Sequence, residues 1–256
     1  MKYIELETKD NILIIYINRV EKLNALSSIV IKELDDVFSS YINDNTINSI
    51  VITGSGDKSF VAGADISEME KFTPLDASEY SNKGINLFNR IETYTKPIIA
   101  AIDGYALGGG CELAMSCHIR YASEKSLIGL PEVTLGLIPG YGGTQRLRNL
   151  VGLGKACELI FSGKYIKAEE ALRIGLINKI CDDPIEDSLE LASKISKNSP
   201  LAIKYAIQSI TSGLNSNYFD SFDIENNLFS NLFNSYDSKE GINAFLNKRS
   251  PKFKGK

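Results

Sequence analysis

Two glutamates lie beside glycine-rich backbone in the middle of this 256-residue chain. Glu112 sits in Ala106-Leu-Gly-Gly-Gly-Cys-Glu-Leu-Ala-Met-Ser, and Glu132 in Gly129-Leu-Pro-Glu-Val, shortly before Pro139-Gly-Tyr-Gly-Gly-Thr-Gln-Arg. Paired carboxylates can take up and return protons, while N–H groups at a glycine-opened helix start can hold a developing oxyanion without a second ionisable group. The chemistry that suits this pairing is the making and reprotonation of an enolate. A helix beginning near Gly109 leaves its first N–H groups unsatisfied, and its positive end favours an ionised Glu112, suited to act as a base. The same carboxylate could do no more than complement the helix dipole. Glu132 follows Pro131 in the apolar stretch Leu127-Ile-Gly-Leu-Pro-Glu-Val. Burial there favours a protonated acid, although a glutamate on a surface turn has the same spacing.

The elements that must position these groups are mixed. Tyr3 to Leu6 and Ile12 to Ile17 predict strands around Lys9-Asp10-Asn11, a hairpin. Ser27 is an N-cap candidate for a helix whose Val30, Leu34, Val37, Phe38 and Tyr41 share one face. Strands are expected at Ser49 to Thr53, Ile98 to Ile102 and His118 to Ala122, with an amphipathic helix carrying Tyr80, Leu87, Phe88 and Ile91 before Pro97. From Tyr141 onward the periodicity predicts helices at 144–150, 155–161, 168–174, 185–196, 201–210, 219–233 and 239–247, interrupted only by a strand at Leu176 to Ile180. The partition expected is a β-rich core, residues 1–197, and a helical part, residues 198–256.

Composition narrows the function classes. A chain with 43% hydrophobic residues and a formal charge of -4 can bury a large core, and its basic residues form no stripe, so no nucleic-acid partner is expected. Cys111, Cys117, Cys157 and Cys181 show no CxxC spacing, and the opening Met-Lys-Tyr-Ile-Glu-Leu-Glu lacks a secretory pattern, so a cytoplasmic setting is expected. The apolar run Ile12 to Ile17 falls far short of the roughly 20 residues of a membrane span, so no membrane partner is expected. One histidine, His118, with no Cys-rich ligand set, supplies neither a zinc site nor a Ser-His-Asp triad, and is expected to be structural. No metal is expected. The glycine clusters follow neither the GxGxxG dinucleotide pattern nor a P-loop.

Several ordered motifs together resemble the crotonase, or enoyl-CoA hydratase/isomerase, superfamily. They are Asn18-Arg-Val-Glu-Lys-Leu-Asn-Ala-Leu, Ser59-Phe-Val-Ala-Gly-Ala-Asp-Ile, Lys96-Pro-Ile-Ile-Ala-Ala-Ile-Asp-Gly, Ala106 to Ser116, Pro131-Glu, Gly140-Tyr-Gly-Gly-Thr-Gln-Arg-Leu and Ala168 to Gly175. The resemblance implies an α/β fold, a spiral of ββα repeats with a C-terminal helical trimerisation region, assembled as a homotrimer or a homohexamer. It implies an oxyanion hole from the N–H groups of Ala64 and Gly109, gripping the thioester carbonyl of an acyl-CoA substrate. Coenzyme A is then part of the substrate, and no cofactor is expected. Ala62, Gly63, Asp65 and Ile66 would line the CoA site, the last two through their main chain.

Two glutamates resemble the hydratase subgroup, implying reversible hydration of short-chain trans-2-enoyl-CoA, crotonyl-CoA to 3-hydroxybutyryl-CoA, with Glu112 and Glu132 acting on one water. Isomerase relatives commonly keep only the later glutamate; isomerisation is the alternative, and a noncatalytic CoA- or RNA-binding scaffold a further one. The chain departs from the family pattern in Leu130, where many relatives have glutamine, and in His118, where aspartate is common. Ser67 stands where some hydratases carry a lysine near the CoA phosphates, which makes Lys22, and Phe253 and Lys254 of the basic tail, candidate contacts. Tyr141, beside the presumed acyl pocket, is expected to favour crotonyl-CoA over long chains. Fatty-acid β-oxidation and butyryl-CoA formation would use this chemistry in opposite directions.

Overall fold

The computed structural model describes residues 1–214 and 217–256. A hairpin opens the chain, β1 (Ile4–Lys9) and β2 (Ile12–Ile17), turning through Asp10 at φ 56°. Helix α1 (Ser28–Tyr41) follows, its first turn capped by the Ser27 side chain, which accepts the Val30 N–H. Three ββα units come next: β3 (Ser49–Gly54) and β4 (Ser59–Ala62) with α2 (Pro74–Glu92), then β5 (Ile98–Ile102) and β6 (Tyr105–Leu107) with α3 (Gly109–Ser116), then β7 (Ile119–Ser123) and β8 (Leu127–Gly129) with α4 (Gly143–Val151). In each unit the first strand joins one sheet and the second strand another. The six-stranded sheet runs β1-β2-β3-β5-β7-β10 and the four-stranded sheet β4-β6-β8-β9, where β9 is Tyr165–Lys167 and β10 Lys179–Cys181. Helices α5 (Leu153–Ser162), α6 (Ala168–Arg173), α7 (Pro184–Ile195), α8 (Pro200–Gly213), α9 (Tyr218–Leu232) and α10 (Tyr236–Leu246) complete the described residues.

The central strands β3 and β5 are buried at every position, because both faces of the large sheet are covered. Alternate residues point opposite ways. Ile14, Val51, Ile99 and Ala101 face Leu189 and Ala192 of α7, while Leu13, Ile15, Ile50, Ile52 and Ile98 join α1, α2 and the second sheet in the main core. Parallel pairing of β3, β5 and β7 brings the ends of β4, β6 and β8 side by side, since each second strand continues from the first. Those ends carry the motifs singled out above.

Most expected elements are present. The single-strand expectation after Tyr141 needs correction: β9 at Tyr165–Lys167 also interrupts the helices, and β10 occupies Lys179–Cys181 rather than Leu176 to Ile180. Leu176 instead closes the end of α6, its N–H donating to Ala171 O at 2.8 Å behind Gly175 at φ 79°. Three-residue strands are too short to show an alternation. Helices α8 to α10 hold Ile210, Phe229, Phe245 and Leu246 outward in the single chain.

Candidate active site

The start of α3 is shaped by its glycines. Gly108 adopts φ 50° and ψ −123°, a conformation open to glycine, and a Cβ on Gly110 would meet Val61 O at 2.0 Å. The helix therefore begins against the backbone of β4. A Cβ on Gly108 would stand 3.6 Å from Gly63 Cα, so the helix start and the turn after β4 approach closely. Gly109 N–H, in the first turn of α3, and Ala64 N–H, just past β4, donate to no protein acceptor among the described residues. The two donors expected from the sequence thus stand on adjoining segments, available to an oxygen.

Glu112, on the same helix, is 1% exposed. Its Oε1 accepts the N–H of Tyr141 at 2.8 Å and of Gly143 at 2.7 Å. Gly143 permits that approach, since a Cβ there would lie 2.8 Å from Glu112 Cγ. Glu132 opens a short 3-10 turn, Glu132–Leu135, behind β8, whose Gly129 O accepts the Gly108 N–H at 2.9 Å. That bond docks the Glu132 turn on the start of α3: a Cβ on Gly108 would stand 3.0 Å from Glu132 Oε1. Glu132 Oε2 is buried with no hydrogen-bond partner.

Both carboxyls are pushed toward the protonated form. Burial, then the charge of Glu132, raises Glu112 to about 7, against the pull of the Gly143 and Tyr141 N–H groups. Burial also raises Glu132. The expectation that the helix start keeps Glu112 readily ionised is corrected here: removal from water outweighs the dipole. The result still suits proton transfer, because a group near neutrality both accepts and returns a proton.

The loop that presents Tyr141 is held from behind. Arg146 donates through Nη1 to Tyr141 O at 2.8 Å, and through Nε and Nη2 to Glu92 at 3.0 and 2.9 Å. The Tyr141 ring is buried among Tyr80 and Phe88, in space opened by Gly84, where a Cβ would lie 2.2 Å from it. The same ring lies 3.4 Å from a Cβ built on Gly109, which places it beside the start of α3.

Ala62, Gly63, Asp65 and Ile66 form the turn around Ala64. Asp65 caps the 3-10 turn Ile66–Glu68, and its carboxyl is held below the ordinary range first by Ser67 and also by Arg19, so its side chain is engaged by protein. Exposed Lys22 lies next to Leu23, whose O accepts the Ala62 N–H at 3.0 Å. Phe253 and Lys254 are not brought to the glutamates within one chain. Phe253 packs near Gly241, and Lys254 lies 4.4 Å from the Tyr236 ring, both on α10. His118 accepts the Ile98 N–H at Nδ1 (2.9 Å), and burial lowers its pKa to about 4, a structural arrangement. Among the described residues no cluster of three or more His, Cys, Asp or Glu could hold a metal ion, and no helix is long and apolar enough to cross a membrane. Sequence spacing did not single out Arg146, Gly84, or the pair Arg19 and Asn24, although Arg146 falls inside the quoted Gly140 motif and Arg19 and Asn24 inside the quoted Asn18 motif.

Fold and site together define a class: a ββα spiral whose candidate site pairs two buried carboxyls with two unpaired backbone N–H groups. Comparison with known proteins agrees. Residues 7–256 match the sequence model of the enoyl-CoA hydratase/isomerase family. The chain is 45% identical to a short-chain-enoyl-CoA hydratase of Clostridium acetobutylicum, covering 95% of this chain and 94% of that protein. It is 41% identical to a crotonyl-CoA hydratase of Syntrophomonas wolfei, covering 97% and 96%. Its fold matches the crystal structure of an enoyl-CoA hydratase from Bacillus anthracis with a TM-score of 0.95 and 34% identity, over 99% of this chain and 100% of that one. The chain belongs to the enoyl-CoA hydratase/isomerase family, the crotonase superfamily, close to its short-chain enoyl-CoA hydratases.

Proposed function

We propose that this protein reversibly hydrates short-chain trans-2-enoyl-CoA, converting crotonyl-CoA to 3-hydroxybutyryl-CoA. The observation that carries the proposal is the meeting of Glu112, Glu132 and the free N–H groups of Ala64 and Gly109 at one helix start. The two N–H groups hold the thioester oxygen and stabilise its negative charge as the enolate forms. Glu112 and a protonated Glu132 hold one water; Glu112 takes its proton as the oxygen adds to the β-carbon, Glu132 delivers its proton to the α-carbon, and the proton on Glu112 passes to Glu132 through the next water to restore the pair. Every bond made or broken is supplied by substrate, water and these carboxyls, so no cofactor is required. Ala62, Gly63, Asp65 and Ile66 line the CoA path through their main chain, with Lys22 beside them.

The Tyr141 ring closes the acyl side and favours short chains; its fixed position among Tyr80, Phe88 and Gly84 supports this role. The outward Ile210, Phe229, Phe245 and Leu246 support assembly into a trimer or a dimer of trimers, in which Phe253 and Lys254 reach a neighbouring CoA site. Four free cysteines, three of them buried, support a reducing, cytoplasmic setting.

The test is loss of the conjugated enoyl-thioester absorbance when purified protein meets crotonyl-CoA, with chromatography of the product. Formation of 3-hydroxybutyryl-CoA is expected, and turnover of a C16 enoyl-CoA at a much lower rate. Conversion of a 3-enoyl-CoA with no hydrated product would establish the isomerase instead, and CoA-ester binding without turnover a scaffold.

A further inference from the structure

Arg19 and Asp65 form a buried ion pair that hydration itself does not use. Arg19 Nη2 lies 2.6 Å from Asp65 Oδ2, with the two side chains 10% and 9% exposed. The same guanidinium donates through Nη1 to Ala25 O at 3.1 Å. These two acceptors flank one junction. Leu26, next to Ala25, pairs with Ala64, next to Asp65, in an isolated parallel bridge. The Leu26 N–H donates to Gly63 O and the Asp65 N–H to Leu26 O, each at 2.8 Å. Leu26 therefore grips the peptides on both sides of Ala64 and sets where the Ala64 N–H points.

The Leu26 segment runs from the Val20–Lys22 3-10 turn to the Ser27 cap of α1, and the Tyr80 hydroxyl donates to Leu26 O at 3.3 Å. Leu23 and Asn24 sit at φ 51° and 60°, left-handed backbone that residues with a Cβ adopt at a cost. Backbone bonds from the Leu23 N–H to Val20 O and from the Asn24 N–H to Arg19 O, each at 3.0 Å, hold them, and the Asn24 side chain adds to these. Asn24 accepts the Arg19 N–H at Oδ1 (3.0 Å) and donates through Nδ2 to Ser55 O and Ser59 O, both at 2.9 Å. Only a planar, forked cation reaches a carbonyl and a carboxylate on opposite sides of the bridge at once.

We propose that Arg19 is a positioning residue for the reaction: by holding Ala25 and Asp65 across the Leu26–Ala64 bridge, it aims the Ala64 N–H at the thioester oxygen. The proposal rests on the assignment of Ala64 to the oxyanion hole. Removing one oxyanion donor outright costs about 10²–10³ in kcat, so mis-aiming this one costs part of that, about 10-fold to 100-fold.

The test uses Arg19→Lys, which keeps the charge and loses the fork, and the double variant Arg19→Met with Asp65→Asn, which leaves no buried charge unpaired and keeps the Ser67 contact. The readouts are kcat, KM, the thermal midpoint, and the absorbance of a bound conjugated aryl-acryloyl-CoA, whose band moves to the red when its carbonyl is polarised. Wild type should shift the band. Both variants should bind the probe within about threefold of wild type yet shift it less, with kcat down about 10-fold to 100-fold and KM changed less than threefold. The double variant should regain thermal stability without regaining kcat. Should Arg19→Lys fail to fold, the double variant decides. A full band shift with kcat within about twofold of wild type, or recovery of kcat together with stability, would overturn the role of Arg19. No band shift in wild type would overturn the oxyanion assignment itself, and this proposal with it.

Discussion

Replacing Glu112 by glutamine should stabilise the folded protein in neutral and mildly alkaline solution, and hardly at all in acid. Burial and the neighbouring charge of Glu132 lift the Glu112 carboxyl from the ordinary 4.5 to about 7. The unfolded chain gives up this proton near 4.5, the folded chain near 7. Below 4.5 both states keep it and there is no penalty. Between those values ionisation increasingly favours the unfolded chain, and above 7 the full cost applies. At about 1.4 kcal/mol per unit, the gap amounts to about 3 kcal/mol. Glutamine has no charge to bury and keeps an oxygen for the N–H groups of Tyr141 and Gly143. Urea unfolding of wild type and Glu112→Gln at pH 5 and pH 8 reads the effect directly. The expected result is a variant more stable by about 3 kcal/mol at pH 8 and by less than about 1 kcal/mol at pH 5. A difference that does not change with pH, or a variant less stable at pH 8, would refute the claim that this carboxyl is held up by desolvation.

The same group sets two further expectations. If Glu112 must be ionised to accept the water proton, kcat/KM should fall about tenfold per unit as pH drops below about 7, measured with crotonyl-CoA well below KM; a value flat to pH 5 contradicts that role. Gly110→Ala places a Cβ 2.0 Å from Val61 O, forcing α3 away from β4, and should cost about 1–3 kcal/mol in stability together with at least 100-fold in kcat. Gly154→Ala is its control: no atom lies within 4 Å of the added Cβ in α5, so thermal stability should hold or rise and the rate should not change.

The parts legible in the sequence were those with a local signature. Long apolar runs gave β2, β3 and β5, a serine followed by a periodic face gave α1, and a glycine run gave the start of α3. Glu112 and Glu132 were legible as types beside glycine, but their closeness depends on Gly129 O meeting the Gly108 N–H across two strands. Other features had no local signature at all. The small sheet is built largely from three-residue strands, and Arg19 with Asp65, or Arg146 with Glu92, meet only through the fold. The net direction of the Glu112 shift was hidden for the same reason: the helix dipole can be read along the chain, whereas burial needs the whole structure.

The most direct test of the two-carboxylate account is the rate of 3-hydroxybutyryl-CoA formation from crotonyl-CoA by wild type, Glu112→Gln and Glu132→Gln, each verified as folded. If both groups act on one water, as proposed, either substitution alone should reduce kcat by at least about 100-fold, with binding of the CoA ester largely kept. A wild-type hydration rate in either variant would contradict it.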